Sequence, residues 1–255
     1  DRMTLPAPGT AFEAAIETLD VAGLRAVWSP DLGFAPVEPE VRDVCEAAAH
    51  ALAAAAGFRL EPDRRRWTNA YPAWNALAAV ELRLHFERAG YLPGRIGEIS
   101  PGPRRFIRKY AGSDPAKLLE FKDTVMQVER EMAAFFQEAD VLITPTACCV
   151  PYAAEGPLPE VIAGKDASET NGEPFTVPGS IGWNPSISVP AGLSADGLPI
   201  GLLITVRRHR DDIALRLARA WEQFPAGPRR APGYGLGGSP WGRTRRPPPP
   251  RPEKG

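Results

Sequence analysis

Two short apolar runs on either side of an Asp-Gly dipeptide constrain the fold more than any other feature of the chain. Ser186-Ile187-Ser188-Val189 precedes the dipeptide Asp196-Gly197, and Pro199 to Val206 follows it. Runs of this length and composition are typical of β-strands, and Asp-Gly is typical of a tight turn between strands. The sequence therefore predicts two neighbouring strands joined by a turn.

Helical and strand patterns alternate in the rest of residues 1–224. Short apolar runs predict strands at 24–28 and 141–143, and the second strand is expected to stop at Thr144-Pro145-Thr146. Apolar residues at three- and four-residue steps predict four helices, which begin near Pro39, Ala73, Asp114-Pro115 and Asp211. Residues 95–113 predict a loop with at most one short helix, and 151–183 a long Gly/Pro/Ala loop. Helices interspersed with four or more strands favour an α/β layered domain.

Residues 225–255 differ from this pattern. They contain nine prolines and seven glycines and carry a local charge of +6, so residues 1–224 carry −7 in a chain of net charge −1. With few large apolar residues to bury, the segment is predicted to be a disordered tail, locally polyproline II at 247–250. The alternative is a functional segment, either an arginine-rich arm that binds nucleic acid or a ligand for proline-recognising domains. A solvated tail is favoured, because a run of positive charge attracts nucleic acid without forming a specific binding site.

Composition and charge exclude several classes of protein. A chain of 255 residues with 44% hydrophobic and 24% charged residues is not fibrous or wholly disordered. The nearly neutral charge provides no global attraction to nucleic acid or to an anionic membrane, and no apolar run is long enough to span a bilayer. Three cysteines, an odd and small number, favour a reducing, cytoplasmic compartment. Because the chain begins with Asp1, we expect it to be processed, cropped or a fragment.

Six motifs in a characteristic order resemble the amidase signature family. They lie at 139–146, 175–178, 184–192, 196–202, 207–212 and 215–222, and the predicted strand at 24–28 with the following helix also fits. The resemblance covers residues 20–224. It implies an α/β fold with a mixed central sheet flanked by helices, and the hydrolysis of carbon–nitrogen amide bonds without metal or cofactor. In that family a serine attacks the carbonyl, a second serine relays its proton to a lysine, and backbone N–H groups of a Gly/Ser-rich loop stabilise the oxyanion.

The sequence differs from the family's pattern in the residues that carry out catalysis. No Gly-Gly-Ser-Ser-Gly-Gly-type loop is present, and no two serines are adjacent. Lys165 with Ser168 is the nearest approach to a Lys/Ser couple, and a shared exposed loop would not bury the amine enough to make it a base. We therefore expect no catalytic residue and no metal ligand in this chain. Residues 1–224 are interpreted as the C-terminal part of an amidase-like domain, incomplete in this chain and inactive alone.

Five residues at predicted strand ends are candidates for substrate binding, because sites in α/β sheets gather there. They are Thr144, Pro145, Thr146, Trp183 and Asn184. A hydroxyl or amide would hold a polar group of the substrate, and Trp183 would wall the cavity. The alternative is ordinary turn chemistry, since Asn-Pro is a common turn opener. Cys148-Cys149 could suggest a thiol nucleophile, but inert buried thiols are the favoured interpretation.

Three hypotheses for function follow. The first is a C-terminal segment of an amidase-type hydrolase, which would bind a small-molecule amide once completed by a missing segment. The second is a non-catalytic binding or regulatory protein derived from the fold. The third is a complementing half that docks with a separate chain carrying the Gly/Ser-rich loop. None of them calls for nucleic acid or a membrane as partner.

Overall fold

A computed structural model describes residues 9, 11–109, 115–154, 156–170 and 172–224, except for the side chains of 115–118. The predicted tail at 225–255 and the predicted helix-capping residue Asp114 lie outside these ranges. In the described residues the helices are α1 (Phe12–Thr18), α2 (Pro39–Ala56), α3 (Tyr71–Arg88), α4 (Pro101–Lys109), α5 (Pro115–Glu138), α6 (Thr176–Gly182) and α7 (Asp211–Gln223). The strands are β1 (Arg25–Trp28), β2 (Arg59–Pro62), β3 (Val141–Pro145), β4 (Val161–Ile162), β5 (Lys165–Asp166), β6 (Ser186–Leu193) and β7 (Pro199–Val206).

Five of these strands form one mixed sheet in the order β2-β1-β3-β7-β6. β1 runs parallel to both β2 and β3, whereas β7 is antiparallel to β3 and to β6. The register places Ile143 opposite Ile204 and Thr144 opposite Leu203. The predicted strand–turn–strand unit at 186–206 is confirmed, with Gly197 in the left-handed region at φ 76°.

Alternate residues of the strands face two different helical layers, as the pleat of a strand requires. Val141 and Ile143 of β3 belong to a core with α2 and α7, whereas Leu142 between them belongs to a core with α5 and α6. Because both faces are covered, β3 is apolar at consecutive positions rather than at every second one. The predicted α/β architecture, a mixed central sheet flanked by helices, is confirmed.

Several local predictions need correction. The strand predicted to end at Ile143 continues through Thr144 and Pro145, because both residues still pair with β7. The loop predicted for 151–183 contains the β4–β5 hairpin and α6. Asp211, predicted to cap a helix, lies inside the first turn of α7, and no side chain caps that end. No helix in the described part of the chain is long and apolar enough to cross a membrane.

Candidate functional site

A small cavity of about 290 Å³ lies where β3 ends and the chain enters the loop at 146–152. Thr146 and Ser188 line it, and their hydroxyl oxygens are 2.7 Å apart and share a hydrogen bond. Cys149, Tyr152 and Glu173 also line it. β1 and β3 are parallel, and ligands of α/β sheets bind outside the carboxyl ends of such strands. The cavity is therefore placed where the fold favours a binding site.

Glu38, at the start of α2, holds the loop that walls this cavity. Its carboxylate Oε2 accepts a hydrogen bond from the backbone N–H of Val150 at 2.9 Å, and its own N–H donates to the carbonyl of Cys148 at 2.8 Å. On the other side, the N–H of Cys148 donates to the carbonyl of Gly172 at 2.8 Å. The loop is thus tied to a helix end and to a second loop, which limits how far the wall of the cavity can move.

Burial suppresses ionisation of the thiols near this cavity. Burial raises the pKa of Cys149 to about 11, and the nearby carboxylates of Glu38 and Glu173 act in the same direction. Cys148 is fully buried, and the pKa of its thiol is raised as well, mainly by burial. A thiolate is the reactive form of cysteine, so neither residue is prepared to act as a nucleophile at neutral pH.

The three lysines whose side chains the structure describes lie at the surface. Lys109, Lys122 and Lys165 are all exposed. Lys165 lies on β5, and the backbone N–H of Ser168 donates to the carboxylate of Asp166 at 2.9 Å. The remaining two, Lys117 and Lys254, have side chains outside the described part. Within the described residues no group of three or more His, Cys, Asp and Glu side chains could hold a metal ion.

The five sequence-predicted binding residues are not brought together. Thr146 lines the small cavity, but the buried Thr144 hydroxyl donates to the carbonyl of Pro145 at 2.9 Å and is used locally. Trp183 and Asn184 lie near the opposite end of β7, where Asn184 Nδ2 donates to the carbonyl of Val206 at 3.0 Å. Positions 201 and 206 of an extended strand are about 17 Å apart, so a small ligand at Thr146 does not reach Asn184.

Trp183 and Asn184 are held by the end of α6. Trp183 is 56% exposed and takes the left-handed conformation at φ 55°, which ends the helix. Asn184 Oδ1 is buried and has no hydrogen-bond partner among the described residues. A Cβ at Gly182 would lie only 2.5 Å from that oxygen, so a side chain at position 182 would displace the asparagine amide from its present position. The sequence analysis named Thr146 but not Tyr152 of the same loop, nor Ser188 and Glu173, which come from other parts of the chain.

A second and larger cavity of about 720 Å³ lies between α5, the end of α6 and the loop from β7 to α7. Asn184 is one of its lining residues. The loop contributes Arg207, Arg208, His209 and Arg210 to its rim, and α5 contributes an apolar floor that includes Phe136. This cavity is distinct from the one at Thr146.

Comparison with known proteins links the chain to amidases. The family model described as Amidase matches residues 104–215. The acylamidase of Rhodococcus erythropolis is 29% identical over 207 residues, which are 80% of this chain and 43% of the relative. One subunit of the glutamyl-tRNA(Gln) amidotransferase of Rhodospirillum rubrum is 28% identical, over 89% of this chain and 49% of the relative. The chain thus spans about half the length of the curated relatives it matches.

Solved structures support the same fold. A bacterial aryl acylamidase of the amidase signature family superposes with a TM-score of 0.77 at 24% identity, covering 88% of this chain and 48% of that chain. The 6-aminohexanoate cyclic dimer hydrolase superposes with a TM-score of 0.66 at 22% identity, covering 86% of this chain and 49% of that chain. These likenesses show that the chain has the fold of amidase signature enzymes, and the family-model and sequence matches agree with the resemblance indicated by its motifs.

Proposed function

We propose that this protein supplies one wall of an amidase-type active site and that the nucleophile and its base come from a segment or chain carrying a Gly/Ser-rich loop. The observation that carries the proposal is the cavity at Thr146 and Ser188, which has hydroxyl groups and a carboxylate but no buried amine among its lining residues. Such a cavity can orient an amide but cannot activate a serine, because serine at its ordinary pKa needs an adjacent base.

The free edge of the sheet supports this proposal. Within the described residues β6 pairs with β7 alone, so its other edge has no strand partner. Ser188 and Pro190 on this strand are exposed. An unpaired edge strand is a template for pairing with another strand. Since Ser188 also lines the cavity, a segment docked on this edge would lie beside the proposed substrate.

The proposed substrate is a small organic amide. Thr146 and Ser188 can donate to a carbonyl oxygen or accept from an amide N–H, because each hydroxyl is both donor and acceptor. No metal or cofactor is needed for this role, and neither nucleic acid nor a membrane is proposed as a partner. We further propose a reducing, cytoplasmic location, which the three free cysteines favour.

Amide hydrolysis by the purified chain tests the proposal. We expect no release of p-nitroaniline from p-nitroacetanilide by the chain alone, and turnover after addition of a polypeptide containing the Gly/Ser-rich catalytic region of a related acylamidase. The matched control is the same polypeptide with its nucleophilic serine replaced by alanine, which should abolish the turnover. A T146V/S188A variant should form the complex, as seen by size-exclusion chromatography, but show a raised KM.

Two results would contradict the proposal. Turnover by the chain alone that disappears on mutation of one of its own residues would show that it contains a complete site. Binding of acetanilide by the chain, without complex formation or turnover in any mixture, would favour the non-catalytic binding protein instead.

A further inference from the structure

The cavity of about 720 Å³ beside α5 has a positively charged rim over an apolar floor. Its lining residues include four arginines and His209 but a single carboxylate, that of Glu129. Residues 1–224 as a whole carry −7, so the sign of the charge here is opposite to that of the surrounding protein. Met126 and Ala133 of α5 provide exposed apolar surface, above the buried side chains of Met132 and Phe136.

Two of the four arginines are already used in holding the structure. Arg208 Nε donates to the carbonyl of Gly182 at 2.5 Å, and its Nη2 lies 3.1 Å from Glu129 Oε1. Arg210 forms two hydrogen bonds to the carboxylate of Asp212, at 2.9 and 3.1 Å. The contacts of Arg208 tie the loop from β7 to α7 to α5 and α6, and those of Arg210 tie it to the first turn of α7.

The other two arginines, Arg130 and Arg207, have guanidinium groups without a hydrogen bond or ion pair in the ranges that the structure describes. Arg130 lies on α5 and Arg207 on the facing loop, so they line the same cavity from two sides. A guanidinium group presents several N–H donors in a plane and matches the oxygens of a carboxylate or phosphate.

A second cavity lined by arginines differs from the cavity beside α5 in its balance of charge. The cavity beside β2, of about 690 Å³, is lined by Arg64 and Arg65 but also by Glu61 and Glu138. Arg65 there is ion-paired with both Asp63 and Glu138. Its charges are balanced within the protein, whereas those of the cavity beside α5 are not.

We propose that the cavity beside α5 binds a small organic oxyanion, a carboxylate or phosphate joined to an apolar group, between Arg130 and Arg207. The oxyanion accepts hydrogen bonds from the two guanidinium groups, and the apolar group packs on the exposed Met126 and Ala133. The site lies near the opposite end of β7 from Thr146, so this inference does not depend on the proposed amidase function, and neither result decides the other.

Isothermal titration of the full chain with three matched probes tests this site. Benzoate and phenyl phosphate carry an anion on a phenyl ring, and benzyl alcohol carries none. We expect one or both anions to bind, benzyl alcohol to bind at least tenfold more weakly, and the affinity of the anions to fall as salt is raised. Preference between benzoate and phenyl phosphate would identify which oxyanion fits.

Substitutions locate the binding. R130Q and R207Q should each weaken anion binding about tenfold, because each removes one charged donor to the ligand. R64Q, in the charge-balanced cavity, is the matched control and should leave the affinity unchanged; thermal unfolding of each variant checks that it is folded. Absence of anion binding, equal binding of benzyl alcohol, or equal loss in R64Q and R207Q would overturn the proposal.

Discussion

Thr146 Oγ1 and Ser188 Oγ meet 2.7 Å apart over Gly201 of the intervening strand β7. A Cβ added at Gly201 would lie 2.8 Å from the threonine oxygen and 2.9 Å from the serine oxygen. A carbon atom does not approach an oxygen of another residue that closely, so a side chain at position 201 would displace at least one of the two hydroxyl groups. The glycine is therefore a requirement of the cavity and not of the backbone angles.

Replacing this glycine tests that relationship. G201A should destabilise the fold by about 1–3 kcal/mol, because overpacking forces side chains or backbone to shift. Urea unfolding followed by circular dichroism measures the change. G94A is the control, since a Cβ there has nothing within 4 Å. A G201A protein as stable as G94A would show that the hydroxyl pair can separate at no cost.

The Glu38 carboxylate is predicted to order the loop at 146–152. E38A removes the acceptor of the Val150 N–H and should cost about 1.5–3 kcal/mol, as expected for a hydrogen bond to a charged group. E38Q keeps an oxygen acceptor and should lose less stability than E38A. Hydrogen exchange of the Val150 amide is the direct measurement, and it should become faster in E38A. Exchange that is no faster in E38A than in E46A, an exposed position on the same helix, would contradict this role.

Asp140 should make stability depend on pH. Burial acts to raise the pKa of its carboxyl, but hydrogen bonds and the positive charge of Arg25 outweigh this and hold the pKa below its usual value. A pKa lowered in the folded state contributes stability that is fully present above the unfolded pKa, near 3.8, and is lost as the pH falls through the folded value.

The comparison of wild type with D140N measures this contribution. Wild type should have a higher free energy of unfolding than D140N at pH 6–7. This difference in free energy should disappear as the pH is lowered below the pKa of Asp140 in the folded protein. D43N, which alters an exposed pair with Arg42, is the control and should show a smaller difference throughout. A D140N difference that stays constant from pH 7 to pH 2 would contradict the assignment.

The cysteines should react slowly in the folded protein. Burial raises the pKa of Cys45 to about 12 and that of Cys149 to about 11, so little thiolate exists at pH 7.5. Reaction with Ellman's reagent should be slow in the native state, increase with pH, and reach three thiols per chain in urea. C149S should remove the fastest native phase, because Cys149 is the least buried of the three. Rapid native labelling at pH 7 would contradict this.

Strong local patterns predicted the elements that carry most of the core. The apolar residues of α2 recur at three- and four-residue steps, and the helix ends at Gly57, which adopts φ 73°. Both features could be predicted, because each depends on residues no more than about one helical turn apart. The short elements β2, α1 and α6 were not predicted. β2 has one half-buried and three exposed residues, so its pairing with β1 creates the strand and its own composition does not indicate one.

The order of motifs along the sequence was enough to indicate an α/β fold and a relationship to amidases, because helical and strand periods and turn dipeptides are local properties. The tertiary structure alone decided that Thr146 meets Ser188 while Asn184 lies about 17 Å away along β7. It also decided that Arg208 is paired with Glu129, 79 positions distant, while Arg207 is left facing a cavity. Strand register and helix packing set these contacts, and neither can be calculated from neighbouring residues.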